Sequence, residues 1–192
     1  MRQRGGIEAT VTSMAGQWVL LAYRIPRQPS TLRITIWRKL DRLGVARLGD
    51  GLVALPADAR TREQIDWIAE EIGEMGGSSS VWLAAAGSAA QEKVIAAEMR
   101  SARAAEYRAV IEQAEAAARA RPGERGRALK RLQAEVRRIG RRDYFPPAER
   151  EAAQRAVRAL ADADAGAGAG AGAGEVAGAG EVAGAGAGEV AR

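Results

Sequence analysis

The first 86 residues alternate between strand-like and helix-like spacing of their apolar positions. A short apolar run from Trp18 to Pro26 predicts a buried strand, and a helical pattern follows it from Ser30 to Gly44. One stripe of this helix is apolar, and it consists of Leu32, Ile36, Leu40 and Leu43. Gly44 is a residue type that commonly ends helices. The segment therefore predicts a strand that leads into an amphipathic helix.

A hairpin and a second helix follow in the sequence. Two strand-like runs, Val45 to Leu48 and Leu52 to Pro56, are joined by Gly-Asp-Gly, whose residues accept a positive φ at low cost. Thr61 and Gln64 have the spacing of a capping box at the start of the next helix. The apolar stripe of that helix consists of Ile65, Ile68, Ile72 and Met75. A fourth strand-like run, from Ser78 to Ala84, completes the order β-α-β-β-α-β.

The second half of the chain has helical spacing throughout. A long helix is predicted from about Ala89 to Ala120, where Arg-Pro-Gly stops it, and a second helix ends at Gly140. The aromatic and proline-rich segment from Asp143 to Pro147 then forms a turn before a third helix. We expect the Tyr-Phe pair of this turn to fill the corner between the helices.

These patterns divide the chain into four predicted parts. Residues 1–16 form a flexible N-terminus, residues 17–86 a ferredoxin-like unit with helices on one face of its sheet, and residues 87–164 a basic helical extension. Residues 165–192 are an Ala/Gly repeat with Glu-Val inserts, which has few large side chains to bury and many glycines that oppose a helix. We predict an α+β fold followed by an all-helical extension and a disordered Ala/Gly tail.

Composition limits the chemistry that the chain can perform. Its 192 residues contain no Cys and no His, which removes thiol nucleophiles, disulfides, imidazole bases and the usual zinc ligands. Glu70, Glu71 and Glu74 form an acidic cluster, but they occupy the polar side of a predicted helix, where solvation is the simpler interpretation. The chain contains no phosphate loop, nucleophile elbow or dinucleotide fingerprint. We predict a protein that is not an enzyme and has no catalytic residues, metal or cofactor. A metal-dependent hydrolase that uses the Glu70 cluster is a distant third alternative, and it would require an activity that depends on divalent ions.

The hydropathy of the chain also argues against a membrane partner. No apolar run reaches the roughly 18 residues of a membrane span. The apolar segment that begins at Trp18 is short and soon reaches Arg24. We therefore expect a cytoplasmic protein.

The formal net charge is +5, and basic side chains concentrate in two segments. From Arg121 to Arg142 the only acidic residues are Glu124 and Glu135, and the candidate contacts to DNA phosphates are Arg127, Lys130, Arg131, Arg137, Arg138, Arg141 and Arg142. The first helix adds Arg38, Lys39 and Arg42, which lie clear of its apolar stripe. Such surfaces bind nucleic acids in a salt-dependent manner. The alternative interpretation is a helix face that is simply solvated.

The tryptophans are less informative about binding. We interpret Trp37, Trp67 and Trp82 as core residues rather than base-stacking platforms, because each lies beside an apolar stripe. The sequence does not decide the position of Trp18.

Several segments occur in an order that is typical of one family. They read WVLLAYRIP, PSTLRITIWRKLDRLG, LVALP, TREQIDWIAEEI and, from Arg142 to Pro146, RDYFP. Together they resemble the N-terminal region of the chromate-resistance regulator family ChrB, over roughly residues 17–160. The resemblance implies a chromate-responsive transcriptional regulator that binds the promoter DNA of a chromate-resistance operon and acts alongside a chromate efflux transporter.

The resemblance also indicates which partners to expect. Chromate is a divalent oxyanion that suits guanidinium groups, so Arg24, Arg27 and Arg33 are candidate oxyanion ligands. Family members usually carry a further C-terminal domain, and here the Ala/Gly tail begins where that domain is expected. A homodimer through sheet edges or long helices is a subsidiary expectation. The alternative function is a non-enzymatic protein-interaction module that pairs with a separate sensory domain or partner chain through its long helices.

Overall fold

The computed structural model describes residues 16–173 and has an α+β fold. Its elements, in chain order, are β1 (Gln17–Arg24), α1 (Ser30–Leu43), β2 (Ala46–Gly49), β3 (Leu52–Pro56), α2 (Ala59–Glu74), β4 (Ser78–Ala85), α3 (Ala89–Ala118), α4 (Pro122–Gly140) and α5 (Glu149–Ala173). The predicted α+β class is confirmed, and the described residues contain one four-stranded antiparallel sheet and five helices. The predicted N-terminus, up to residue 15, and the tail beyond Ala173 lie outside the described residues.

The four strands form one antiparallel sheet in the order β2-β3-β1-β4. Because side chains alternate along a strand, the register of β1 with β3 places Val19 and Leu21 on the same face as Leu55 and Val53. These side chains are buried in one core with apolar residues of both following helices, namely Ile36 and Leu40 of α1 and Ile65, Ile68 and Ile72 of α2. The predicted stripes of α1 and α2 therefore face the sheet.

The opposite face of the sheet is also covered in part. Trp18 alternates with Val19 and is only 4% exposed, and its ring centroid lies 6.0 Å from that of Phe145. Ile95 and Met99 of α3 belong to the same core. The expectation of helices on one face was therefore incomplete, because α3 and the aromatic turn supply apolar partners on the other face.

The described chain divides into two compact units. Unit one comprises residues 16–106 and Arg137–Arg150, and unit two comprises Tyr107–Val136 and residues 151–173. The sheet and its helices belong to unit one. Unit two buries apolar positions from α3, α4 and α5, which include Tyr107, Val110, Leu132, Val157 and Leu160. Within unit two, the Arg125 guanidinium also donates a hydrogen bond to the Ala163 carbonyl at 2.7 Å.

The capping prediction for α2 was wrong in its residues. The helix begins at Ala59, and its N-cap is Asp58, whose carboxylate accepts a hydrogen bond from the Thr61 nitrogen at 2.7 Å. The Thr61 hydroxyl in turn accepts one from the Asp58 nitrogen at 2.9 Å. Asp58 and Thr61, rather than Thr61 and Gln64, thus satisfy the first amide groups of the helix.

The interpretation of three tryptophans as core residues was also wrong. Trp37, Trp67 and Trp82 are 49%, 61% and 62% exposed. In α1 and α2 the buried positions are the neighbouring isoleucines, Ile36 and Ile68. A residue next to an apolar stripe is rotated about 100° away from it, and this rotation carries the indole towards solvent.

The Ala/Gly segment differs from its prediction where it begins. The structure continues α5 through the first of these residues to Ala173, whereas the sequence predicted disorder from Ala165 onward. Alanine has the highest helix propensity, and a helix that has already formed extends without a new nucleation cost. The glycines oppose this extension by roughly 1 kcal/mol each relative to alanine.

Candidate functional site

In unit one the end of α1 meets the segment that follows α4. The Arg142 guanidinium donates to the Asp41 carbonyl at 3.1 Å, and the Tyr144 hydroxyl donates to the Leu43 carbonyl at 3.1 Å. Gly44 ends α1 with a φ of 72°, and a Cβ atom there would lie 3.0 Å from the Arg142 Cβ atom. Glycine thus gives the turn its left-handed conformation and lets the two segments approach closely.

Arg142 itself is an internal component of this junction. It is 6% exposed, and its guanidinium forms a salt bridge with Glu106 at 2.7 Å. Glu106 also pairs with Arg103 at 2.9 Å. Burial lowers the pKa of Arg142 from its ordinary value, and the nearby Glu106 carboxylate opposes that change. Because this guanidinium is enclosed and partnered, we leave Arg142 out of the proposed DNA-binding surface.

Other basic residues at the same junction point to solvent. We name this group the basic corner, and its members are Arg38, Arg42, Arg137, Arg138 and Arg141, all of which are exposed. The Arg60 guanidinium donates to the Arg141 carbonyl at 3.1 Å and lies 5.8 Å from the Tyr144 ring centroid. These contacts fix the backbone beneath the corner while leaving its charged ends at the surface.

The remaining DNA-contact candidates are placed elsewhere. Lys39 is partly buried and forms a salt bridge with Glu71 of α2, so it differs from its exposed neighbours on α1. Arg127, Lys130 and Arg131 are exposed on the part of α4 that belongs to unit two. Each unit therefore carries its own basic surface.

A second basic feature of unit one is an open cleft of about 810 Å³ at the start of α1. We name it the arginine cleft. The end of β1, the first turns of α1 and the β2-β3 hairpin line it, and its basic residues are Arg24, Arg27, Arg33 and Arg47. The three oxyanion candidates therefore line one cleft. Sequence reasoning missed Arg47, although the strand alternation that places it on the same face as Val53 was a usable signal.

The electrostatics of the arginine cleft favour an anion. Within the described residues, Arg24, Arg27 and Arg33 form no salt bridge, and Asp50 is the one acidic side chain in the lining. Arg47 lies 3.9 Å from Asp41, a long and exposed pairing. The first turn of α1 contains no acidic residue, so the positive end of the helix dipole adds to the field.

The hairpin forms one wall of the cleft because it rests against β1. Gly51 has a φ of 71°, and its carbonyl accepts a hydrogen bond from the Tyr23 nitrogen at 2.7 Å. A Cβ atom at Gly51 would lie 2.3 Å from the Tyr23 carbonyl oxygen. Only glycine therefore lets the hairpin close against the end of β1.

Two further features are absent from the part of the chain that the structure describes, namely a metal-binding cluster and a membrane-spanning helix. From residue 16 to residue 173, no group of three or more acidic side chains is arranged to hold a metal ion. Over the same residues, none of the helices combines the length and the apolar character needed to cross a membrane.

Comparison with known proteins confirms the family resemblance. A family model described as "Protein ChrB, N-terminal" matches residues 33–167, which is more than half of the chain. The matched region includes most of α1, the basic corner and the helices of both units. None of the curated proteins that were compared matches the chain. The chain belongs to the ChrB N-terminal family.

Proposed function

We propose that this chain is a chromate-responsive transcriptional regulator module that binds the promoter DNA of a chromate-resistance operon in the cytoplasm. Its family membership supports the link to chromate resistance. The observation that carries the DNA-binding part is the basic corner, where exposed arginines from two segments are held on a backbone junction fixed by Arg142 and Tyr144. We propose no enzymatic activity for the chain.

The physical basis of DNA binding is neutralisation of phosphates by fixed positive charges. Each phosphate that a protein neutralises releases condensed counterions, so the affinity falls steeply as salt increases. Guanidinium groups also bind phosphate oxygens through two parallel hydrogen bonds. A surface on a rigid junction loses less conformational freedom on binding than one on a loose loop. The basic corner of unit one combines exposed guanidinium groups with a backbone that hydrogen bonds hold in place.

The same proposal assigns the inducer to the arginine cleft. Arg24, Arg27 and Arg33 are exposed and line a common space, and guanidinium groups recognise tetrahedral dianions through charge-assisted hydrogen bonds. Chromate belongs to this chemical class. Its site lies at the start of α1, and Arg38 and Arg42 lie further along the same helix. A change in the position of α1 would therefore couple the anion to the DNA-binding surface.

We also propose that the α/β part of unit one is ferredoxin-like. The element order β-α-β-β-α-β and the antiparallel strand order β2-β3-β1-β4 support this assignment. Fold alone does not decide function, so the DNA-binding proposal rests on the basic corner.

A triple substitution of Arg42, Arg137 and Arg141 by alanine tests the DNA-binding proposal. We expect affinity for the duplex upstream of the gene to fall at least tenfold at physiological salt, and the salt slope to decrease by about 3. The matched control removes three exposed arginines of unit two that are outside the candidate set, namely Arg119, Arg155 and Arg158. An equal loss in both variants, or no loss in the first, would contradict docking by the basic corner.

A protein-interaction module is the second candidate function, and exposed aromatic surface favours it. Trp67 of α2 and Trp82 of the edge strand β4 present large apolar side chains to solvent. Exposed apolar groups of this size are typical of protein contact surfaces. The partner is either a second copy of this chain or a different chain, and light scattering at tens of micromolar protein distinguishes the two. A dimer would identify the partner as a second copy, whereas a monomer would indicate a different chain.

A further inference from the structure

The arginine cleft is larger than a single tetrahedral oxyanion requires. Its volume of about 810 Å³ lies in the range of pockets that hold organic ligands or cofactors. The cleft also has an apolar part next to its arginines, to which Ile34 and Trp37 contribute. Both side chains are about half exposed, although isoleucine and tryptophan are normally covered. The cleft therefore has two chemically different parts.

Trp37 is arranged as a stacking surface. The Arg47 guanidinium lies 5.2 Å from the centroid of the Trp37 ring, a cation–π contact that supports the indole from one side. The side chain is nevertheless 49% exposed and lines the cleft. An indole that is held in place but uncovered suits a planar aromatic group, because little side-chain entropy is lost when the group stacks.

The cationic and aromatic parts are separated by one helical turn. Arg33 and Trp37 are four residues apart on α1 and therefore lie on the same face, about 5–6 Å apart at their Cβ atoms. A nucleoside phosphate has the corresponding layout, since its phosphate and its base lie on either side of one ribose. Asp50 in the lining is an acceptor for ribose hydroxyl groups or an exocyclic amine.

We propose that the arginine cleft binds a free nucleoside phosphate. Arg24, Arg27 and Arg33 take the phosphate, and Trp37, supported by Arg47, takes the base. This inference rests on the proposed function in one respect, namely that these three arginines form an oxyanion site. It adds the ligand class of that site and makes chromate a competitor for the phosphate position.

Calorimetric titration tests the inference with four probes: adenosine 5′-monophosphate, adenosine, inorganic phosphate and chromate, in sulfate-free, low-chloride buffer. We expect the monophosphate to bind at least tenfold more tightly than adenosine or inorganic phosphate, and chromate to displace it. Trp37→Leu should reduce affinity for the monophosphate at least fivefold and leave chromate binding unchanged. Trp67→Leu is the matched control, since Trp67 is also an exposed tryptophan but does not line the cleft.

The outcomes separate this inference from the proposed function. If chromate and phosphate bind as tightly as the monophosphate, the nucleotide inference fails while the oxyanion site stands. If the monophosphate binds but Trp37→Leu and Trp67→Leu behave alike, the inference also fails. If none of the anions binds and circular dichroism shows a folded protein, both proposals for the cleft are wrong. Displacement of the monophosphate by a short DNA duplex would assign the site to DNA and overturn the inference.

Discussion

Two regions of unit one use arginine in opposite ways. At the junction of α1 and the end of α4, Arg142 is buried and its guanidinium is held by Glu106 and the Asp41 carbonyl. In the arginine cleft, Arg24, Arg27 and Arg33 are exposed and form no salt bridge within the described residues. Burying a charge is costly unless partners compensate for the lost water. Arg142 therefore stabilises the fold, whereas the guanidinium groups of the cleft arginines remain accessible to an anionic ligand.

The difference shows why the density of basic residues along a sequence is an incomplete guide to binding. Arg141 and Arg142 are neighbours, yet one side chain is exposed and the other is enclosed. Partners and burial, rather than position in a charged run, decide which arginine is available to a phosphate. Substitution of single residues can separate the structural arginines from those available to a ligand.

The largest effect on stability is expected for Arg142→Ala. Its removal leaves the Asp41 carbonyl without this donor and Glu106 without this charged partner, so we expect the free energy of unfolding to fall by about 3 kcal/mol. Urea unfolding monitored by circular dichroism measures the change. Arg141→Ala is the control, and we expect a change within about 0.5 kcal/mol. Equal losses of unfolding free energy in the two variants would contradict the distinction between the buried Arg142 and the exposed Arg141.

Gly51→Ala should have the next largest effect. The substitution strains a residue with positive φ and brings a methyl group against the Tyr23 carbonyl, so we expect a loss of about 2 kcal/mol. The matched control is Gly49→Ala at the other end of the hairpin turn, where a Cβ atom would meet nothing within 4 Å. Thermal unfolding of both variants measures the difference. A Gly51→Ala protein as stable as the control would show that the hairpin does not require this close approach.

Tyr144→Phe tests the junction through its hydrogen bond. Loss of the bond to the Leu43 carbonyl should cost about 1 kcal/mol at neutral pH. Burial raises the pKa of Tyr144, so its stabilising contribution is complete below about pH 10, the value in the unfolded chain, and is lost as the pH rises through the folded-state pKa. We therefore expect wild-type stability to decrease more steeply above pH 10 than that of the variant. Urea unfolding from pH 8 to pH 11 measures the free energy of unfolding of both proteins. If the two values change in parallel with pH, this account is wrong.

The smallest effect on stability is expected for the cleft. Replacing Arg24, Arg27 and Arg33 together by alanine should change the free energy of unfolding by less than about 0.5 kcal/mol per residue, because these side chains are exposed and form no salt bridge within the described chain. The same variant should lose all measurable heat of chromate binding. Strong destabilisation would mean that these arginines are structural, as Arg142 is.

Much of the fold follows from local patterns in the sequence. The hairpin at Gly-Asp-Gly, the end of α1 at Gly44 and the apolar stripes of α1 and α2 depend on residues a few positions apart, so periodicity and turn chemistry predict them. The Asp58 cap of α2 was local too. Its Asp-x-x-Thr spacing was a readable signal that sequence reasoning overlooked.

The candidate sites depend more on contacts between distant residues. Arg142 meets Asp41 across 101 positions and Glu106 across 36, and no local pattern indicates which arginine of a basic run will be enclosed. Charge near the start of α1 pointed to three of the cleft arginines, whereas Arg47 joins them only because β2 pairs with β3. Trp37 is exposed because the neighbouring Ile36 takes the buried position of α1.

The central claim is that DNA binding and anion sensing use separate sets of exposed arginines in unit one. The most direct test is the affinity of the wild-type chain and of the cleft triple variant for the duplex upstream of the gene, with and without chromate. We predict that chromate weakens wild-type binding at least tenfold, and that the variant binds the duplex normally but does not respond to chromate. An equal chromate response in both proteins, or no response in either, would contradict the claim.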